Sequence, residues 1–330
     1  MSTLKEILQR SQAISVAAKE GYQRFGHPEL DIEHLFLALL IVGGASGRVL
    51  GDLGVTLHDA RAAAERVHAE QISSLGMTPP ASLASATIPD PQAGEIRWSD
   101  RALKLMRHDD STGDDRLLLG LLLDEPSGHV VRILRQLDIS ESVVRKSMAD
   151  YADAPARGSS TTAPPASSPA TPPPAGWQDV KYSGYIPVSP ELVWAMVSDP
   201  ARRLEWDGYF YDSAVLGEGG ILTTTARLTR PDGKPNKIRP AFRRIEHVVS
   251  QYTAGTLIEW DMTWPDKPGR RMVVRMRVEV RHEGTGASVV LTQSRMKRRS
   301  LVRWMLNPLY VFSAWQGLFA RVNAMSRALR

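Results

Sequence analysis

The chain has 330 residues, 42% hydrophobic and 23% charged, proportions ordinary for globular protein of about two domains. It contains no Cys, which excludes disulfides, thiolate metal sites and cysteine nucleophiles. The net charge of +5 conceals an asymmetry, since residues 1–176 carry 17 Lys and Arg against 22 Asp and Glu while the remainder carries 24 against 14.

The first ten residues, MSTLKEILQR, mix charged and apolar side chains where a secretion signal needs an unbroken apolar core. The longest apolar run, Leu35–Val42, falls far short of the ~20 residues of a membrane span. A soluble, cytoplasmic protein is the expectation. Leu4, Ile7, Leu8, Ile14 and Ala18 recur at helical spacing and predict a first helix ending near Phe25, before Gly26. Glu33 to Leu40 predicts a short helix apolar nearly all round, hence buried, which Gly43-Gly44 stops. A third short helix holds Val49, Leu50 and Leu53 and is closed by Gly54. Thr56 with Asp59 begins a fourth, running to about Gln71.

After a Pro-, Ser- and Ala-rich segment, 73–97, the same order returns. Asp115 to Leu122 echoes the buried helix, and Leu134-x-x-Leu137-Asp138-Ile139-Ser140 echoes Leu50-x-x-Leu53-Gly54-Val55-Thr56. Two helical units packed on each other in one all-α domain, residues 1–153, are expected.

Gly26-His27, Ile32-Glu33-His34-Leu35, Leu39-Leu40 and Val49-Leu50-x-x-Leu53-Gly54-Val55 resemble the duplicated amino-terminal domain of the Clp ATPases, especially ClpC. No G-x-x-x-x-G-K-[ST] loop follows, so the ATPase part is missing from this chain. The resemblance implies docking of Clp unfoldase and protease components or their substrates. It also implies phosphoarginine binding by Glu33, Ser99 and Asp115, because a carboxylate can hold a guanidinium at two points. The sequence departs from that pattern at Leu8, where a hydroxyl would stand, and at Arg116, where a His would pair with the second acid. The other reading of Glu33 and Asp115 is that each simply favours a helix amino terminus. For His27 and His34 the plain reading is capping or packing.

Residues 154–176, APARGSSTTAPPASSPATPPPAG, hold seven Pro and one charged residue, Arg157, and cannot bury apolar area. They read as a linker reaching roughly 25 Å as coil and about 70 Å as polyproline helix.

Beyond it, residues 177–330 change period. Val180–Ile186 predicts a strand, and Ser189-Pro190 begins a helix that carries Trp194 and stops before Asp199-Pro200. A second short helix, 201–206, follows. Six alternating runs come next, 209–216, 221–229, 238–249, 256–264, 271–282 and 287–296, separated by Gly- and Pro-rich turns. Ile258, Trp260, Met262 and Trp264 oppose Glu259, Asp261 and Thr263, as in an antiparallel sheet with one buried face. A final helix is predicted from about Leu301 to Leu329, bent at Pro308.

This order, with Val188-Ser189-Pro190-Glu191-Leu192-Val193-Trp194 and Trp206, resembles the START and polyketide-cyclase superfamily, the helix-grip or SRPBCC fold. The fold class expected for the whole chain is therefore multidomain: an all-α duplicated domain plus an α+β domain, a seven-stranded curved antiparallel sheet around a long helix. The resemblance implies a cavity for an apolar small molecule such as a lipid or polyketide. Trp194, Trp206, Trp260, Trp264, Phe312, Trp315 and Phe319 are its candidate wall, although aromatics at such spacing are more often plain core than ligand contacts.

The inward strand positions are apolar, and His247 is the one titratable side chain placed inside. No acid–base pair, cofactor site or metal site emerges, so binding is favoured over catalysis. A non-enzymatic adaptor, sensor or decoy linked to Clp proteolysis is the leading expectation. A polyketide cyclase or hydratase-like enzyme and a lipid-transfer protein are the alternatives. Arg298, Arg299, Arg303, Arg321, Arg327 and Arg330 around the apolar last helix would suit transient membrane contact. The Arg residues are scattered along strands, which argues against nucleic acid.

Overall fold

The computed structural model describes residues 4–78, 97–109, 115–153, 176–230, 233–269, 272–296 and 307–330. The side chain of Leu8, most of the predicted linker, and Arg298, Arg299 and Arg303 lie outside the described residues. Two compact units divide the chain, Met1–Pro164 and Pro165–Arg330.

The first unit is helical: α1 Leu4–Phe25, α2 Ile32–Val42, α3 Gly44–Asp52, α4 Leu57–Ser74, α5 Asp100–Asp109, α6 Asp115–Leu123, α7 His129–Arg135 and α8 Glu141–Asp153. Helix α2 is buried from Ile32 to Ile41, as its lack of a polar face requires, and α6 buries Leu118, Leu119, Leu122 and Leu123 beside it. A parallel bridge ties Leu30 to Trp98: the Leu30 amide donates to Arg97 O at 2.7 Å and the Ser99 amide donates to Leu30 O at 2.9 Å.

Two helix ends match in detail. After α3, Gly54 is left-handed (φ 81°) and the Val55 amide donates to Leu50 O at 3.0 Å. After α7, Asp138 is left-handed (φ 59°) and the Ile139 amide donates to Leu134 O at 3.0 Å. Both turns satisfy carbonyls that a helix end leaves open, and the second does so without glycine. Thr56 then caps α4 through the Asp59 amide, as Ser140 caps α8 through the Val143 amide.

Among the described residues, the second unit joins one sheet to three α-helices. Its elements are β1 Trp177–Ile186, α9 Pro190–Ser198, α10 Arg203–Asp207, β2 Tyr211–Leu216, β3 Leu222–Ala226, β4 Arg244–Thr253, β5 Leu257–Thr263, β6 Val273–Glu283, β7 Gly286–Met296 and α11 Asn307–Leu329. The sheet is antiparallel throughout, in the order β1-β7-β6-β5-β4-β3-β2. Strand β4 begins at Arg244 instead of Ile238, because Pro240 opens a 3-10 turn and offers no amide to a ladder. Its register shifts between Val249 and Gln251, and Val248, Val249 and Tyr252 beyond His247 are exposed.

Helix α11 packs on β1, β7 and α10. Gly184 in β1 permits this, since a Cβ there would stand 2.7 Å from Val322 Cγ1. Trp315 and Phe319 stack on each other, and Tyr182 meets both edge-on at 5.6 Å. The opposite face of β5 is less wet than alternation predicts, for Glu259 is buried. It is bonded by Arg277 at 2.9 Å and Ser250 at 3.0 Å, and Asp261 pairs with Arg275 at 2.8 Å. Among the described residues no single helix is long and apolar enough to cross a membrane. The bent pair α2 and α3 passes by length and composition together, and α2 is core.

Candidate functional site

A pocket opens in the second unit between the end of α9, α10 and strands β3 to β5. Val197, Leu222, Ile258 and Trp260 supply apolar walls, and Arg203 and His247 supply the buried polar atoms. Its cavity measures about 40 Å³, room for a group the size of a few water molecules and well below the ~300–1,000 Å³ of sites that enclose a whole organic ligand.

The interior departs from the apolar cavity expected. Arg203, Asp207, Tyr211 and Arg321 are all buried with His247. Arg203 Nε donates to Asp207 Oδ2 at 2.9 Å, and Arg321 Nε donates to Asp207 Oδ1 at 2.6 Å. One carboxylate thus bridges two guanidinium groups. Arg321, read from sequence as part of a membrane-facing basic fringe, is core because α11 turns it toward α10. Burial works against its charge, but Asp207 and Tyr211 outweigh this and raise its pKa above the usual value. Burial in turn pushes the Tyr211 phenol up to about 12.

The Arg203 guanidinium lies 4.2 Å from the Trp206 ring centre and 4.7 Å from that of Trp260. Such stacking suits a weakly hydrated planar cation. Its Nη2 is in ion-pair contact with Asp207 Oδ2 at 2.8 Å, yet neither Nη1 nor Nη2 has a hydrogen-bond partner among the described residues. His247 Nε2 sits 2.8 Å from Thr224 Oγ1, and its Nδ1 is buried and unpartnered. Burial first, then the Arg203 and Arg321 charges, depress the imidazole pKa to about 2. His247 is therefore neutral at ordinary pH.

Of the eight cavity residues expected from sequence, His247 and Trp260 line this pocket. Trp206 lies buried against Arg203. Trp194 packs near Tyr252, Trp264 near Phe242, and Trp315 and Phe319 on Tyr182. Phe312 is 61% exposed, so the outer side of α11 carries it away from the interior. Sequence reasoning missed Arg203, Asp207 and Arg321. Arg203 and Asp207 at i and i+4 carry the pattern of an ordinary surface pair, and their partner is 114 residues from Asp207.

In the first unit, Glu33 is buried among three histidines: His27 Nδ1 at 3.4 Å, His34 Nδ1 at 3.7 Å and His129 Nε2 at 3.8 Å. Burial would raise the Glu33 pKa, but the surrounding His27, His34 and His129 prevail and bring it to about 2. Burial depresses His34 to about 4 against the opposing pull of Glu33. Donor atoms of His27, Glu33 and His34 lie within 4.8 Å of one another, a spacing that could hold a metal ion. The hydrogen bonding fits a metal poorly. His34 Nδ1 accepts the Asp31 amide at 2.9 Å, so its Nε2 carries the proton of the neutral ring toward His27 Nδ1 at 3.0 Å. A metal-bound histidine ordinarily donates from its second nitrogen.

The other two residues of the expected phosphoarginine set are engaged elsewhere. Ser99 Oγ donates to Asp31 at 2.6 Å and accepts the Ala102 amide at 3.1 Å, capping α5. Arg101 forks onto the same Asp31. Asp115 Oδ2 accepts the Ser46 amide at 2.9 Å near the start of α3, and Ser46 Oγ donates to Asp115 O at 2.7 Å. Gly44, left-handed at φ 76°, makes room, since a Cβ would lie 2.5 Å from Asp115 Oδ2. Glu33 beside α7 and Asp115 beside α3 thus face helix starts in the opposite half of the unit.

A curved antiparallel sheet with a long last helix packed on it fits the second unit to the helix-grip fold. Residues 178–324 match the family model described as polyketide cyclase / dehydrase and lipid transport. Similar solved structures include a conserved protein from Geobacillus kaustophilus, 10% identical, covering 46% of this chain and 95% of that one with a TM-score of 0.36. Protein CV1439 from Chromobacterium violaceum is 11% identical, covering 45% and 94% with a TM-score of 0.33. Separately, 77 residues are 36% identical to Chaperone protein ClpB 1 of Parasynechococcus marenigrum (strain WH8102), 23% of this chain and 9% of that protein. The chain therefore spans under a tenth of that curated relative.

Proposed function

We propose that this chain is a two-module binding protein. The helix-grip unit holds a small organic molecule, and the helical unit is a duplicated Clp-type recognition domain that docks proteins handled by a Clp unfoldase. The chain would then serve as an adaptor, sensor or decoy for Clp proteolysis. The observation that carries the small-molecule part is the pocket containing Arg203 and His247, whose buried nitrogens have no partner among the described residues. Buried polar groups ordinarily are bonded, so these nitrogens are suited to hold a polar group that enters the pocket.

The docking part is supported by the two matching helix ends at Gly54 and Asp138, with their capped successors, and by the short ClpB likeness. It does not draw on Glu33, Ser99 or Asp115, whose polar atoms hold the helices together. A phosphoarginine ligand would have to displace those bonds. Binding is favoured over turnover because a general base works best with a pKa near the operating pH, and His247 is far below it.

Native mass spectrometry of the intact chain purified from cells should show a retained compound. Affinity capture with the same chain should enrich Clp subunits or their substrates. A pocket that retains nothing and binds none of a varied panel of small organic probes would defeat the first part. Capture that enriches neither class would defeat the second.

A further inference from the structure

We propose that the ligand of the helix-grip pocket carries a carboxylate, and that Arg203 receives it end-on through Nη1 and Nη2 while the apolar remainder lies against Val197, Leu222 and Ile258. This rests on the reading of the pocket as a small-molecule site and adds the chemical class.

Charge gives the first argument. The buried group contains two guanidinium ions and one carboxylate, Arg203, Arg321 and Asp207, which leaves one positive charge uncompensated among the described residues. An uncompensated buried charge is costly, and a monoanion on Arg203 removes the excess without creating a new one. A doubly charged phosphate would reverse the imbalance. Asp199 does not supply the charge from inside, because it is exposed and its Oδ1 accepts the Ala201 amide at 2.9 Å.

Geometry gives the second. Arg203 turns Nε and one side of Nη2 to Asp207 Oδ2, at 2.9 and 2.8 Å, and among the described residues Nη1 and the outer side of Nη2 have no hydrogen-bond partner in a residue only 1% exposed. Two indoles lie close to the guanidinium, and a planar carboxylate can meet its end in the two-point fork that guanidinium favours. His247 Nδ1, also buried and unpartnered in the same pocket, offers a further bond when Thr224 donates to Nε2. The cavity of about 40 Å³ restricts the enclosed part to the carboxylate and a very short alkyl stub.

The test uses the full chain and matched pairs of probes differing only in charge and small enough for the cavity: acetate, propanoate and butanoate, each against its primary amide. Isothermal titration calorimetry reads affinity, and ¹⁵N NMR of the arginine side chains reads the Arg203 Nη signals. At least one carboxylate should bind tenfold or more tightly than its amide, a gap fitting a charge-assisted hydrogen bond. The Arg203 Nη resonances should shift with that carboxylate alone, and Arg203→Lys should weaken it at least tenfold while changing amide binding little. Amides binding as well as their carboxylates, or an uncharged compound retained from cells, overturns the carboxylate assignment and leaves the pocket reading standing. Failure of both members of every pair, with nothing retained from cells, removes the pocket reading and this assignment with it. The paired comparison on the unmodified protein decides the matter even if Arg203→Lys does not fold.

Discussion

The two units each bury a cluster of charge, and the clusters are built differently. In the helical unit, Asp31, Glu33 and Asp115 lie against amides, histidines, Ser99 and Arg101, all supplied by the fold itself. In the helix-grip unit, Asp207 is shared by Arg203 and Arg321, while Arg203 Nη1 and His247 Nδ1, both in residues that line the pocket, have no hydrogen-bond partner among the described residues. A closed network fixes the packing of helices; an open one leaves affinity in reserve for something that arrives from outside. Charged residues in a buried place are thus no sign of a site until their partners are counted.

The largest break in this comparison should come from Asp207→Ala. It leaves two buried guanidinium groups without their carboxylate, and breaking a buried pair costs about 3–5 kcal/mol. Urea denaturation followed by tryptophan emission should show this loss in the helix-grip unit, and an unchanged midpoint would refute the shared-carboxylate account. Trp315→Ala tests the neighbouring apolar packing against Phe319 and Tyr182 and should cost a similar ~3–5 kcal/mol.

Acid should weaken both clusters. An unfolded histidine takes up a proton near pH ~6.5. Folded His247 does so only near 2, and His34 only near 4. Between those values the unfolded chain binds more protons, so stability rises with pH and is lost as pH falls below about 6.5. At pH 5 the loss through His247 amounts to roughly 2 kcal/mol. His247→Gln should flatten the pH dependence of the helix-grip unit while leaving that of the helical unit intact, as read by denaturation at pH 5 and 7.

Asp115→Ala removes the acceptor for the Ser46 amide and should cost ~1–3 kcal/mol. Were this carboxylate held in reserve for a partner, the same change would leave stability untouched, and a thermal melt distinguishes the two. The smallest effect is expected of Phe312→Ala, within ~0.5 kcal/mol, because the ring is 61% exposed.

Local rules made much of the fold legible. Gly26, Gly43 and Gly54 mark helix ends, and alternation places Ile258, Trp260 and Met262 on the buried side of β5. The Leu134-x-x-Leu137-Asp138 echo falls on a turn with the same hydrogen bond as its earlier counterpart. What escaped reading depended on pairs distant in sequence. Nothing local distinguishes Arg321 from other arginines on an apolar helix, and only the packing of α11 on α10 delivers it to Asp207. Asp115 likewise meets Ser46 across 69 residues. Glu259 is buried through cross-strand Arg277, which alternation alone would have left in water.

The two indoles beside Arg203 also make the pocket self-reporting. A tryptophan's emission colour and yield respond to the electric field around its ring, and here the Arg203 cation lies 4.2 and 4.7 Å from the two ring centres. Occupancy by an oppositely charged molecule would alter that field at Trp206 and Trp260 together, so light emitted by the unlabelled protein offers a direct way to search for its natural occupant.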